Sequence, residues 1–179
     1  LSMGGFIAMR IAARRPDLVR SLILLETAAE AEPSTLKYRF LSLMVRLFGV
    51  KSVTKPVMKI MFGKTFLNDP NRQEEVTVWR QELEKNKKSI VKAVAGVITR
   101  KSIVNELANI SCPTLIMVGT EDIATPPEQS VLIKSHIPQA SLQYIQYAGH
   151  TSCIEEPEQC HKMIDQFLQE NKVKTSFYN

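Results

Sequence analysis

The chain opens on Leu1-Ser2-Met3-Gly4-Gly5, a serine followed almost at once by two glycines and then by an apolar helical pattern. A serine hydroxyl becomes a useful nucleophile only when an imidazole removes its proton. A position just before a helix gathers backbone N–H groups and the positive end of the helix dipole around one point, where an oxyanion would be stabilised. Asp122 and His150 could complete such a centre. Asp122 ends Val118-Gly119-Thr120-Glu121-Asp122, just past a buried apolar run, and His150 follows Ala148-Gly149. Each residue alone also has a plain structural reading: a helix-capping serine, a turn aspartate that bonds nearby backbone, a loop histidine. Together, a carboxylate that orients an imidazole beside a serine would make a nucleophilic triad. Glu26 is a second candidate for the acid, because it follows the apolar run that ends at Leu25.

The elements that must position these residues are legible in the hydropathy pattern. Phe6, Ile7, Met9 and Ile11 predict a helix over Met3–Arg14, stopped by Pro16. Val19–Leu25 carries a short apolar run of the kind that forms a strand covered on both faces of a parallel sheet. From Ser34 to Asn109 no strand is expected. Leu36, Phe40, Leu43, Met44, Leu47 and Phe48 recur at helical spacing, as do Val53, Val57, Ile60 and Met61, with Gly49 and Gly63 at the ends. A third helix is expected from Asn71 to Leu83, and two more between Lys87 and Leu107, with Trp79 and the methionines as core packing. Strand and helix then alternate: a strand over Thr114–Val118, a helix capped by Thr125 with Pro126 in its first turn and Glu128 closing a capping box, and a strand over Leu142–Gln146. A last helix opens at Pro157, with Lys172 and Lys174 suited to its negative end. The fold class expected is α/β, a mostly parallel sheet interrupted by a helical cap. The boundaries read as 1–33 and 110–179 for the sheet-bearing core and 34–109 for the insertion.

Composition narrows the classes. A chain of 179 residues, 44% apolar and 23% charged, can bury a substantial core, and its longest strongly apolar runs, such as Leu22–Leu25, are four residues. A membrane-spanning helix needs about 20. The three cysteines, Cys112, Cys153 and Cys160, are odd in number and lack metal-ligand spacing, which reads as unpaired thiols in a reduced, cytoplasmic setting. No metal, cofactor or nucleic-acid partner is expected. Residues 34–101 hold 15 basic and 5 acidic side chains, while the remainder holds 8 basic and 13 acidic. That local surplus reads as a solvated helical face or as a surface facing an anionic ligand.

Ser, then Asp, then His, each beyond a successive sheet element, is the chain order of the α/β-hydrolase triad, and the sequence resembles that superfamily over nearly its whole length. Ser2-Met3-Gly4 matches the end of the nucleophile-elbow pattern G-x-S-x-G. Pro113 to Asp122 is similar to the family's acid-bearing strand and loop, and Gly149-His150 with Glu155-Glu156-Pro157-Glu158 to its histidine loop and final helix. The run from Ala95-Gly96 to Cys112-Pro113 resembles enol-lactonases and related small esterases. The resemblance implies Ser2 as nucleophile, His150 as base, Asp122 ahead of Glu26 as orienting acid, and the Met3 N–H as one oxyanion donor. It implies a small-molecule ester or lactone substrate, anionic by analogy with the enol-lactones, and no cofactor. It also implies that the elbow strand and second oxyanion donor lie upstream of Leu1, so the chain reads as the C-terminal part of a hydrolase and is expected to be inactive alone. Serine at the elbow speaks against the aspartate-using dehalogenases and epoxide hydrolases. Other readings are carbon–carbon or amide bond cleavage on the same fold, a non-catalytic ligand-binding member, and a membrane-surface protein anchored through Leu36–Met61.

Overall fold

A computed structural model of the chain describes residues 1–172. Three strands, β1 (Leu22–Leu25), β2 (Thr114–Gly119) and β3 (Ser141–Ile145), form one sheet in the order β1-β2-β3. Both pairings are parallel, with Leu24 opposite Ile116 and Ile116 opposite Leu142. Parallel strands require crossovers, and these supply the layers. Helix α1 (Met3–Arg14) precedes β1, α7 (Pro127–His136) joins β2 to β3, and α9 (Pro157–Glu170) follows β3 after the short α8 (Ser152–Glu155).

Alternation along the strands divides the core between the two faces of the sheet. Leu22, Leu24 and Ile116 pack with Phe6 and Met9 of α1 and with Ile133 of α7. Leu115, Met117 and Ile145 turn the other way, onto Phe167 of α9. Ile116 is completely buried, so its truncation to alanine would cost about 2–5 kcal/mol.

Between β1 and β2 the regular elements are helical: α2 (Thr35–Phe48), α3 (Thr54–Met61), α4 (Lys64–Asn68), α5 (Gln73–Glu84) and α6 (Val91–Ile98). A third apolar cluster sits here, with Met58, Phe62, Phe66 and Val76 buried and Trp79 against them. The Phe62 and Phe66 rings stack with centroids 5.2 Å apart. An ion pair of Arg100 with Glu32, 2.9 Å apart and almost fully buried, ties the end of this stretch to the segment after β1.

Several local expectations are corrected. The first strand starts at Leu22, not Val19, because Pro16–Leu18 forms a 3₁₀ turn. The helix expected from Asn71 begins at Gln73 after a 3₁₀ turn over Pro70–Arg72, and the short α4 was not anticipated. The stretch Lys87–Leu107 divides into α6 and a 3₁₀ segment, Val104–Asn109. The last strand lies one residue earlier than expected. Helix α2 has the expected span, but Leu36, Phe40, Leu43 and Leu47 face solvent and only Val45 is buried. Thr125 does not cap α7, whose N-cap position is Pro126 with no side-chain capping bond. Lys174 lies outside the described residues.

Candidate active site

Ser2 stands between the end of β1 and α1 in a backbone conformation with φ 47° and ψ −120°, a region strained for a residue with a Cβ. The surroundings hold it there. Its N–H donates to Leu25 O at 2.9 Å, and its carbonyl accepts the Thr27 hydroxyl at 2.8 Å. Gly5 makes this approach possible, since a Cβ there would lie 2.4 Å from Thr27 Oγ1. Gly4 has open space, so only one glycine of the pair serves close packing, and it packs against Thr27. The Met3 N–H, at the first turn of α1, has no backbone acceptor among the described residues.

Asp122 lies in the loop beyond β2 and is buried. Its Oδ1 accepts the N–H groups of Ala124 and Thr125 at 2.8 and 3.0 Å, which fixes the carboxylate plane. Its Oδ2 accepts the Thr125 hydroxyl at 2.8 Å and faces His150 Nδ1 at 2.9 Å. One carboxylate oxygen thus serves the turn, while the other meets both the Thr125 hydroxyl and the imidazole. The Thr125 hydroxyl is engaged by this carboxylate and lies 3.3 Å from Nδ1. The hydroxyl expected to cap α7 thus bonds the Asp122 carboxylate instead.

His150 lies in the loop beyond β3. Its Nε2 stands 2.9 Å from Ser2 Oγ. An ionised carboxylate offers only acceptors, so the neutral ring carries its proton on Nδ1 toward Asp122 and leaves Nε2 to accept from the serine. The loop is tightly held: Gly149 passes so close to Gly63 that a Cβ would meet its nitrogen at 2.3 Å. A Cβ on Gly119 would meet Ala148 O at the same distance. The three elements thus bring Ser2, Asp122 and His150 together at the carboxyl ends of the strands, where ligand crevices of such sheets lie.

Glu26 is next to this line but not in it. It is completely buried, with φ 42°, and Oε1 accepts the Ser152 hydroxyl. Burial pushes its carboxyl up to about 8, with the nearby Asp122 and Glu155 charges adding to the rise. Neither imidazole nitrogen of His150 is bonded to it. Cys112, Cys153 and Cys160 are free thiols, as expected. Thr125 and Glu155 had not been singled out for the site. The spacing Asp122-x-x-Thr125 is the signal that could have flagged the first.

The chain belongs to the alpha/beta hydrolase fold family, whose model matches residues 1–157. The AB hydrolase superfamily protein YisY of Bacillus subtilis is 31% identical over 174 residues, covering 93% of this chain and 63% of that protein. Among solved structures, an esterase from Thermogutta terrifontis aligns with TM-score 0.84 and 29% identity, over 97% of this chain and 64% of that one. The enol-lactonase from Burkholderia xenovorans LB400 aligns with TM-score 0.85 and 24% identity, over 94% of this chain and 64% of that one. The chain spans just under two thirds of the length of each. Among the described residues, no helix is long and apolar enough to cross a membrane.

Proposed function

We propose that these residues serve a serine hydrolase that cleaves a small carboxylic ester or lactone through an acyl-enzyme. The observation that carries this reading is the continuous line from Ser2 Oγ through His150 to Asp122 Oδ2, with both contacts at 2.9 Å. Ser2 Oγ attacks the carbonyl carbon while His150 Nε2 takes its proton, and Asp122 stabilises the imidazolium that forms. The Met3 N–H donates to the oxyanion. His150 then returns the proton to the leaving oxygen, and water, activated by the same nitrogen, releases the acid. No metal or cofactor is called for in this sequence of steps.

The likeness to an esterase supports the substrate class, and the enol-lactonase likeness together with the basic surplus over 34–101 favours an anionic one. The helical stretch 34–109 serves in this reading as a cap over the crevice, and the free thiols suit a reducing, cytoplasmic setting. Met3 is the one oxyanion donor this reading assigns, and since losing a donor costs about 10² to 10³ in turnover, we infer that the chain alone turns over poorly. A fluorophosphonate probe tests the reading on the protein isolated from its source. Labelling at Ser2 that disappears in Ser2→Ala and His150→Ala supports it, and labelling elsewhere or none overturns it.

A further inference from the structure

Helix α2 turns an apolar stripe toward solvent. Leu36, Phe40, Leu43 and Leu47 are 79, 63, 51 and 59% exposed. A single exposed leucine is ordinary on a folded surface, but these four share one face within about 60° of arc. The opposite side is already used: Val45 is buried there, Leu41 is half-buried, and the helix packs on α6. Lys37 lies on one shoulder of the stripe and Arg39 and Arg46 on the other, all three exposed. Among the described residues none of them makes an ion pair, and α2 holds no acidic residue. Helix α1 differs. Its exposed Ile7 and Ile11 have Arg10 and Arg14 beside them, whose guanidinium groups the fold satisfies through Lys101 O and Glu106. No residue of α2 lines the cleft that α3 and α5 form with the Asp122 loop, so the stripe stands outside it.

We propose that α2 is an interfacial helix through which the protein docks on an anionic phospholipid surface. Its 14 residues span about 21 Å, short of the ~30 Å of a bilayer's hydrocarbon core, so the helix lies in the plane of the interface. Leu36, Phe40, Leu43 and Leu47 sink among the acyl chains, while Lys37, Arg39 and Arg46 reach sideways to the phosphates at headgroup level. The free cations decide between this occupant and the others. A second copy docked stripe to stripe would gather the cations of both helices at one seam, with no carboxylate from either helix between them. A covering protein segment would have to strip water from the same cations or bring its own acids. An anionic bilayer supplies the counter-charge and the apolar cover together. Docking of this kind is independent of the chemistry at Ser2.

The test is flotation of the full protein carrying these residues with vesicles of phosphatidylcholine, with and without phosphatidylglycerol. Binding is expected only where phosphatidylglycerol is present, and added salt should weaken it. Phe40→Ser/Leu47→Ser and Arg39→Gln/Arg46→Gln should each weaken it about tenfold or more. Both pairs change exposed side chains, so their urea midpoints should stay close to the parent's. Lys162→Gln/Leu168→Ser, at exposed positions of α9, should bind as the parent does, and so should Ser2→Ala. No binding to either vesicle, or equal binding by the α2 variants, overturns the proposal. Equal binding to phosphatidylcholine alone would overturn the part given to anionic headgroups. A large fall in the urea midpoint of Phe40→Ser/Leu47→Ser would show the stripe covered within the protein itself, and would overturn the docking as well. So would a dimer in sedimentation equilibrium that the same variant dissociates.

Discussion

Glu155 Oε2 accepts the backbone N–H of Gly63 at 2.8 Å, joining residues 92 positions apart. The same oxygen accepts the Gly149 N–H at 3.0 Å, and Oε1 faces the Thr151 hydroxyl at 2.9 Å. One buried carboxylate therefore holds the helical stretch, at the residue between α3 and α4, to both neighbours of His150. Burial raises its pKa, while the converging N–H and O–H donors act to lower it. In Glu155→Gln an amide cannot offer acceptors on both sides, so one set of donors meets an NH₂ group. A loss of about 2–4 kcal/mol is expected in urea unfolding. An unchanged midpoint would show that the joint carries no load.

The identity of the acid is decided by two matched substitutions in an active protein carrying these residues. Asp122→Asn should lower ester turnover on the order of 10⁴-fold through the wrong imidazole tautomer. Glu26→Gln should leave turnover nearly unchanged, because Glu26 makes no bond to His150. Ser2→Ala and His150→Ala should each abolish it, since such residues act as a unit. A collapse in Glu26→Gln with normal activity in Asp122→Asn would reassign the acid.

Glu26 should instead appear in the pH dependence of stability. Its native carboxyl titrates at about 8 against an ordinary 4.5, because burial disfavours the charge. The native state keeps a proton that the unfolded chain has already lost, so the stabilisation is complete below about 4.5 and fades as pH rises to about 8. The swing is on the order of 5 kcal/mol. Urea midpoints at acid and alkaline pH should converge in Glu26→Gln, and a slope equal to the parent's would assign the effect elsewhere.

Cys153, three residues past His150, has no part in the line to Ser2. Its thiol is shifted up, first by burial and then by the Glu26 charge, which leaves little thiolate at neutral pH. Both imidazole nitrogens are occupied by Ser2 and Asp122. Cys153→Ala should hydrolyse esters as the parent does, and loss of turnover would make a cysteine–histidine pair the working centre.

Asp122 and His150 were legible because each follows an apolar run whose length and bordering residues mark a strand end, and Ser2 because two glycines and an apolar helical pattern follow it. What stayed hidden is non-local. Thr125 has the local grammar of a helix cap, yet its hydroxyl goes to a carboxylate three residues back, beside a histidine brought in by β3. Glu155 is named in the sequence only within the run that resembles the final helix, and its joining role is hidden because its partners are mostly backbone N–H groups, which leave no side-chain signature. The break between α6 and the 3₁₀ turn at Val104 is masked because Val97, Ile103 and Leu107 keep an apolar pattern running through it. The stripe on α2 shows the converse: periodicity specified the helix without specifying what its apolar side meets.

The separation of Ser2 from His150, 148 positions along the chain, gives the site a timetable. During synthesis the serine leaves the ribosome among the earliest of these residues and its imidazole among the last. The intervening loop is long, but closure entropy grows only slowly with length. The delay comes from needing three parallel strands in register, contacts that form late because they are far apart in sequence. A nascent chain thus carries Ser2 without its imidazole neighbour, and the two meet only when the three strands are in register.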